Sequence, residues 1–380
     1  MADSPSELVD PRLLVWARTR QGLSVEALAK SVGVPADRVT AWESGVAFPT
    51  LPQLRKLAEA CKRPLSVFFL PEPPTDFDVL QDFRRLAGSS DRQRSAGLCY
   101  AEREAHELRL TAIELTDSLG DPPEPFALRA NESDDVVELA RRVRTWLAVP
   151  LDEQLKWRDP DKALAAWRRA MEARDVLVYQ FGKVETLEAR GFSIPSDRFP
   201  VVGINGKDAA TGRSFTILHE LGHLMLRVGA LCDLEGGAVE SFCNEFAGEF
   251  LVPWDSLVAQ PEAQAQTGPR WSEEALKALA RRYSVSEEVI LRRLLEHGRT
   301  TKAFYEERRA IYAARVTAKS TSAKIPFARK VLARLGRRFV RLALTAYDQQ
   351  AITINEVAGI LGTKVKQLPK FEEYAFGDRA

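Results

Sequence analysis

The sequence predicts an α+β chain that is mostly helical, and three observations carry that expectation. Residues 11–70 show helical apolar spacing with capping residues and no strand pattern. Runs rich in Val, Ile and aromatics are confined to Asp175-Val-Leu-Val-Tyr-Gln-Phe181 and Phe199-Pro-Val-Val-Gly-Ile-Asn205, which predicts a small sheet. Between and beyond these runs the helical spacing resumes. At 380 residues, with 45% hydrophobic content and a net charge of +1, the chain is long enough for two or three domains and is neither disordered nor globally basic. No window approaches about 18 consecutive apolar residues, and the start Met-Ala-Asp-Ser-Pro lacks the regions of a signal peptide, so a cytoplasmic protein with no membrane partner is expected. The four cysteines, Cys61, Cys99, Cys232 and Cys243, follow neither disulfide nor metal spacing.

Taken in order, Pro11 to Arg20 reads as a first helix and Ser24 to Val32 as a second, with Ser24 as N-cap. Gly33-Val34-Pro35 makes the turn into a third helix, Pro35 to Ser44, with Val39 and Trp42 on its apolar side. A fourth follows from Leu51 to Cys61, and a last turn spans Pro64 to Leu70. Two helices joined by a short Gly-containing turn fit a helix-turn-helix, whose second member lies in the DNA major groove. With Leu28-Ala29, Val34, Val39, Trp42-Glu43, Gly45, Pro49, Leu54 and Leu57-Ala58 at its buried and turn positions, the segment is similar to the XRE (Cro/C1-type) family. The resemblance implies double-stranded operator DNA as a partner. Arg38 and Thr40 are the candidate contacts on the recognition helix, and Ser24, Lys30, Arg55 or Lys56 those to phosphates. Residues 1–70 hold nine Lys and Arg against seven Asp and Glu, a modest net of +2, and Val25 stands where that family often has a base-reading Gln.

The proline-rich Leu70-Pro-Glu-Pro-Pro-Thr75 ends this first domain. The expected organisation is a helix-turn-helix domain over 8–71, a helical linker over 72–125, a catalytic domain over 126–299 and a helical C-terminal domain over 300–380. In the linker, Asp82-Phe83-Arg84 resembles a segment that joins these modules in fused proteins. Helices are expected from Asp134 to Leu147 and from Asp161 to Ala173, ahead of the two strands. Most strand residues read as sheet core, with Asn205 and Phe192-Ser193 as the candidates for a substrate-binding edge.

Phe215-Thr-Ile-Leu-His-Glu-Leu-Gly-His-Leu-Met-Leu226 holds two of the chain's four histidines in an H-E-x-x-H arrangement. On a helix, positions i and i+4 lie about 40° apart around the axis, so His219 and His223 can share one metal while Glu220 reaches a water beside it. The flanking Phe, Ile, Leu and Met describe a helix buried nearly all round, where two imidazoles and a carboxylate are costly unless a metal satisfies them. A catalytic zinc takes three protein ligands. Glu240, Glu245 and Glu249 compete for the third place on the next helix, which Pro253 closes. Glu240 is preferred: it lies 17 positions after His223 (240 − 223), enough for a loop through Gly229, Gly236 and Gly237, whereas Glu245 and Glu249 read as a solvated or supporting face.

The run Arg213-Ser-Phe-Thr-Ile-Leu-His-Glu-Leu-Gly-His223 followed by Glu240-Ser-Phe-Cys-Asn-Glu-Phe-Ala-Gly-Glu-Phe-Leu-Val-Pro253 resembles the ImmA/IrrE family of bacterial metallopeptidases. Leu218 and Cys243 stand where that family commonly has Ala. The resemblance implies a zincin-like peptidase domain in which His219, His223 and Glu240 bind Zn2+ and Glu220 is the catalytic base. Arg213 is a candidate for stabilising an oxyanion or for a surface role. Helices from Trp271 to Tyr283 and Ser286 to Glu296 resemble the pair that closes the family's catalytic domain. From Arg315 to Arg341 there are nine Lys or Arg and no Asp or Glu, a basic stretch read as a solvated helical face, a nucleic-acid surface or a sensor or docking face. A short amphipathic helix over 352–362 follows.

A DNA-binding module fused to a metallopeptidase implies a regulator. The leading expectation is a zinc endopeptidase that cleaves a specific bacterial regulator or repressor, with water activated by zinc and Glu220. The alternative is a transcriptional regulator or antitoxin-like protein of a toxin-antitoxin module, in which the peptidase fold mainly binds a partner, a cognate toxin among the candidates. A homodimer is the oligomeric state considered.

Overall fold

The computed structural model describes residues 9–74, 95–227, 237–315 and 325–377. These residues form two compact units: 9–74, 95–106 and 182–184 in one, and the remainder in the other. Asp82-Phe83-Arg84, Gly229, Cys232 and Gly236 lie outside the described residues.

In the first unit, α1 (Pro11–Arg20), α2 (Val25–Val32), α3 (Ala36–Glu43) and α4 (Leu51–Ala60) precede a 3-10 turn, Leu65–Phe69, each within one residue of its expected bounds. Capping residues set the starts. Asp10 accepts from the Arg12 amide, Ser24 from the Ala27 amide, and Thr50 with Gln53 forms a capping box. Each such cap is worth about 0.5–2 kcal/mol. Helix α2 stops at left-handed Gly33, φ 80°, and the extended Pro35 redirects the chain into α3. Leu13, Leu14 and Ala17 of α1 close on Leu28 and Val32, on Val39 and Trp42, and on Leu54 and Leu57. The Arg18 guanidinium forks onto Glu43 at 2.6 and 2.9 Å, pinning α1 to α3.

Helix α5 (Ala96–Leu119) is shared between the units. The second unit continues with α6 (Val136–Leu147), α7 (Leu151–Trp157), α8 (Pro160–Glu172), β1 (Leu177–Phe181), β2 (Gly191–Ile194), β3 (Val201–Asn205), α9 (Ala210–Leu226) and α10 (Gly237–Leu251). It then runs through α11 (Trp254–Val258), α12 (Pro261–Gln264), α13 (Glu273–Tyr283), α14 (Glu287–Glu296) and α15 (Lys302–Arg315) to α16 (Phe327–Leu335), α17 (Arg337–Asp348), α18 (Ile354–Ile360) and α19 (Leu368–Phe376). The architecture is α+β and mostly helical, with one three-stranded sheet among the described residues, ordered β1-β3-β2.

The two expected strands pair in parallel, Leu177 opposite Val201, and β2 adds antiparallel to β3, Gly191 opposite Ile204. All five β3 residues are buried, which explains its unbroken apolar run. Strand β2 was not expected: Gly-Phe-Ser-Ile is short and holds one β-branched residue, so it is recruited by the ladder of β3 rather than by its own propensity. Phe192 and Ser193 therefore lie on an edge strand, but Asn205 does not. It ends the central strand, fully buried, and donates to the Ala189 carbonyl at 2.8 Å.

Helix α9 packs between α8 and α10 and against β2 and β3. Gln154, on the unforeseen α7, is fully buried and donates to the carbonyls of Leu251 (2.8 Å) and Tyr283 (3.0 Å), holding the end of α10. Trp167 of α8 meets Phe250 edge-on at 5.3 Å. Helix α16 packs on β1 and α17 on α8, where Glu172 accepts from the Arg338 amide at 3.1 Å. No described helix is long and apolar enough to cross a membrane.

Candidate active site

Every residue of α9 from Ser214 to Met225 is buried, so the polar groups among them must be satisfied within the fold. His219 and His223 point the same way one helical turn apart, Nε2 to Nε2 3.1 Å. Glu240, in the first turn of α10, completes the cluster: its Oε2 lies 3.4 Å from His219 Nε2 and its Oε1 3.1 Å from His223 Nε2. One donor atom from each of the three lies within 4.8 Å of the others.

Two glycines make the approach possible. A Cβ on Gly222 would come within 2.9 Å of Cys243 Sγ, so the missing side chain lets α10 close on α9 and deliver Glu240 to the histidines. A Cβ on Gly191 would strike Thr216 Cγ2 at 2.3 Å and reach 3.0 Å from Glu220 Oε1. Glu220, 3% exposed, thus lies directly against the first residue of the edge strand.

The donor set fits zinc. Zn–N bonds of about 2.0–2.1 Å in a tetrahedron separate ligand atoms by about 3.3 Å, close to the spacing of the ring nitrogens and carboxylate. The electrostatics agree. Burial alone would lower the His223 pKa, but its contacts with Cys243 and Glu240 carry it up to about 11. Burial alone would raise Glu240, but hydrogen bonds to His219 and His223 bring it down to about 2. Each shift reflects the attraction between the imidazoles and the Glu240 carboxylate across the short gap that separates them.

Glu245 is exposed, in keeping with a solvated face. Glu249 is not solvated: it is buried against Arg293 of α14 and accepts from the Trp254 amide at 3.4 Å, a structural role remote from the histidines. Arg213 donates to Gln180 Oε1 at 2.9 Å, tying α9 to β1. A cavity of about 90 Å³ opens beside Phe215, whose ring lies 6.2 Å from that of His219; Arg190, Asn244 and Arg292 also line it. Sequence reasoning missed Arg190, Gly191 and Arg292. The one available signal was the Arg-Gly step ahead of Phe192, a small residue where a backbone must pass close to another group.

In the first unit, Arg38 and Thr40 are exposed on α3 beside the buried Val39, and Lys30 is exposed in the last turn of α2. Ser24 is exposed with its hydroxyl engaged as the α2 cap. Lys56 donates to the Val32 carbonyl at 3.4 Å, while Arg55 is exposed.

No curated protein and no solved structure matches the chain. Residues 14–68 match the helix-turn-helix family model HTH_3, and residues 174–295, which hold the sheet, both histidines and Glu240, match the model of the IrrE N-terminal-like domain, Peptidase_M78. The chain therefore joins an XRE-type helix-turn-helix domain to an IrrE N-terminal-like domain of the Peptidase_M78 family.

Proposed function

We propose that this protein is a DNA-binding regulator of the cytoplasm whose second unit is a zinc-dependent endopeptidase acting on one specific bacterial regulator or repressor. The observation that carries this reading is the convergence of His219, His223 and Glu240 around one point, with Glu220 buried beside them. Zinc held by those three side chains would supply Lewis acidity toward a scissile carbonyl. Glu220 accepts a proton from the attacking water and returns it to the leaving amine, a role worth about 10²–10⁴ in rate. Among the described residues β2 pairs with β3 alone, so its outer edge offers backbone donors and acceptors to an extended peptide, and Gly191 keeps that edge within reach of Glu220. The cavity beside Phe215 is placed to take a substrate side chain.

In the first unit, α3 enters the major groove with Arg38 and Thr40 toward the bases, while Lys30 and Ser24 face phosphates. In an operator read by a homodimer, each half-site would then be contacted by one such helix, the two helices related by the two-fold axis of the dimer. The decisive experiment measures metal in the purified protein and compares wild type with Glu220→Gln on the regulator in cells. The variant should keep its zinc and leave the regulator intact. Equal loss of the regulator with both proteins would sink the peptidase reading and favour a fold that acts by binding.

A further inference from the structure

Helices α8 and α16 face each other across a cavity of about 280 Å³. From α8 come Ala165, Arg168, Arg169 and Glu172, spaced i, i+3, i+4 and i+7 on one face, and from α16 come Arg329 and Leu332 one turn apart. Arg337 opens α17 at one end, and Tyr374 of α19 lines the wall, with the Arg329 guanidinium 4.9 Å from its ring centroid. The cavity thus gathers four guanidinium groups around a single carboxylate.

Two packed helices that served only each other would oppose unlike charges, because like charges brought together cost stability. Here arginines come from both sides. Glu172 is the one carboxylate among the lining residues, and it stands against more than one arginine: it accepts from the Arg338 amide at the start of α17, lies 3.9 Å from the Arg168 guanidinium and also faces the Arg337 charge. Burial raises its pKa, with Arg168, the Arg338 and Arg337 amides and the Arg337 charge pulling the other way. Arg168, 14% exposed, donates to the Val178 carbonyl at 3.0 Å and lines the cavity. Leu332, Ala165 and the Tyr374 ring supply apolar surface beside that charge.

We propose that this cavity binds a phosphorylated small molecule of mononucleotide size, its phosphate held by Arg168, Arg169, Arg329 and Arg337 and its flat ring laid against Tyr374 and Leu332. Guanidinium forks match phosphate oxygens in charge and in geometry, and the volume is near the lower end of small-ligand sites. The site accounts for part of the basic stretch between Arg315 and Arg341 without invoking a nucleic-acid surface. It is independent of the peptidase reading.

The test is calorimetric titration of the full-length protein with inorganic phosphate, the four ribonucleoside 5′-monophosphates, the matching nucleosides and a DNA duplex. At least one monophosphate should saturate at one per chain while its nucleoside does not bind. Arg169→Gln combined with Arg329→Gln, both on exposed side chains and so expected to leave the melting temperature unchanged, should weaken that binding by about tenfold or more. Tyr374→Leu should weaken the nucleotide but not inorganic phosphate. Absence of saturable binding by every monophosphate, binding undiminished in the double variant, or displacement of the nucleotide by duplex alone overturns the proposal.

Discussion

Helices α3 and α9 each carry the side chains proposed to act, yet they hold them in opposite ways. In α3 the fold uses Val39 and Trp42, and leaves Arg38 and Thr40 in solvent. In α9 the fold encloses His219, Glu220 and His223 within its own core. A polar group in water costs the fold almost nothing, so its presence on α3 says little about use. A polar group inside a core costs about 1–3 kcal/mol or more if unsatisfied, so its presence on α9 demands a reason. Buried chemistry is therefore readable from the fold, and exposed chemistry is not.

Five changes would break or sharpen that contrast. The largest effect is expected from His223→Ala and Glu240→Ala, which should lower metal content from about one zinc per chain to near zero by plasma mass spectrometry. DNA binding at low salt should survive both, and its loss would mean that the two functions are not separable. Next, Glu249→Ala should retain the metal but lose about 1–3 kcal/mol in urea unfolding, because buried Arg293 keeps Glu296 and loses the other of its two carboxylate partners. Metal loss in this variant would instead move the third ligand to α10's other end.

Glu249→Gln separates charge from shape. Burial, opposed by Arg293, raises the Glu249 pKa above its ordinary 4.5, so the carboxyl's stabilising contribution is complete below 4.5 and is lost as pH rises through the folded value. The stability difference between wild type and Glu249→Gln should therefore shift toward the Gln variant as pH climbs from about 4.5 to neutrality. A difference that runs the other way would show that Arg293 outweighs burial. The smallest effect on stability is expected from Arg38→Ala, within about 0.5 kcal/mol, together with a fall in operator affinity of about 1–3 kcal/mol by fluorescence anisotropy. Unchanged affinity would remove Arg38 from the interface.

What was legible in the sequence follows the range of the interactions. The turn between α2 and α3 is written in adjacent residues, Gly33 through Pro35, and the helices were placed to within one residue. His219 and His223 are one turn apart, so their pairing needs only helical geometry. Glu240 was recognisable because the pattern that follows it resembles a known family, while the Gly222–Cys243 approach that delivers it depends on the packing of two helices. Strand β2 was hidden because β3, not its own composition, makes it a strand. Glu249 was read as part of a solvated or supporting face, and the choice between the two stayed open because its partner Arg293 lies 44 positions away. The clamp by Gln154 reaches 97 and 129 positions along the chain, and nothing local announces it.

Among the described residues, one apolar cluster of the first unit draws its buried side chains from between Val9 and Phe68. Such a segment can be inherited as a cassette. Recombination that exchanges it for another of the same kind would give the chain a new genomic address while leaving the His219 helix untouched, so the location of this protein and its chemistry can evolve on separate clocks.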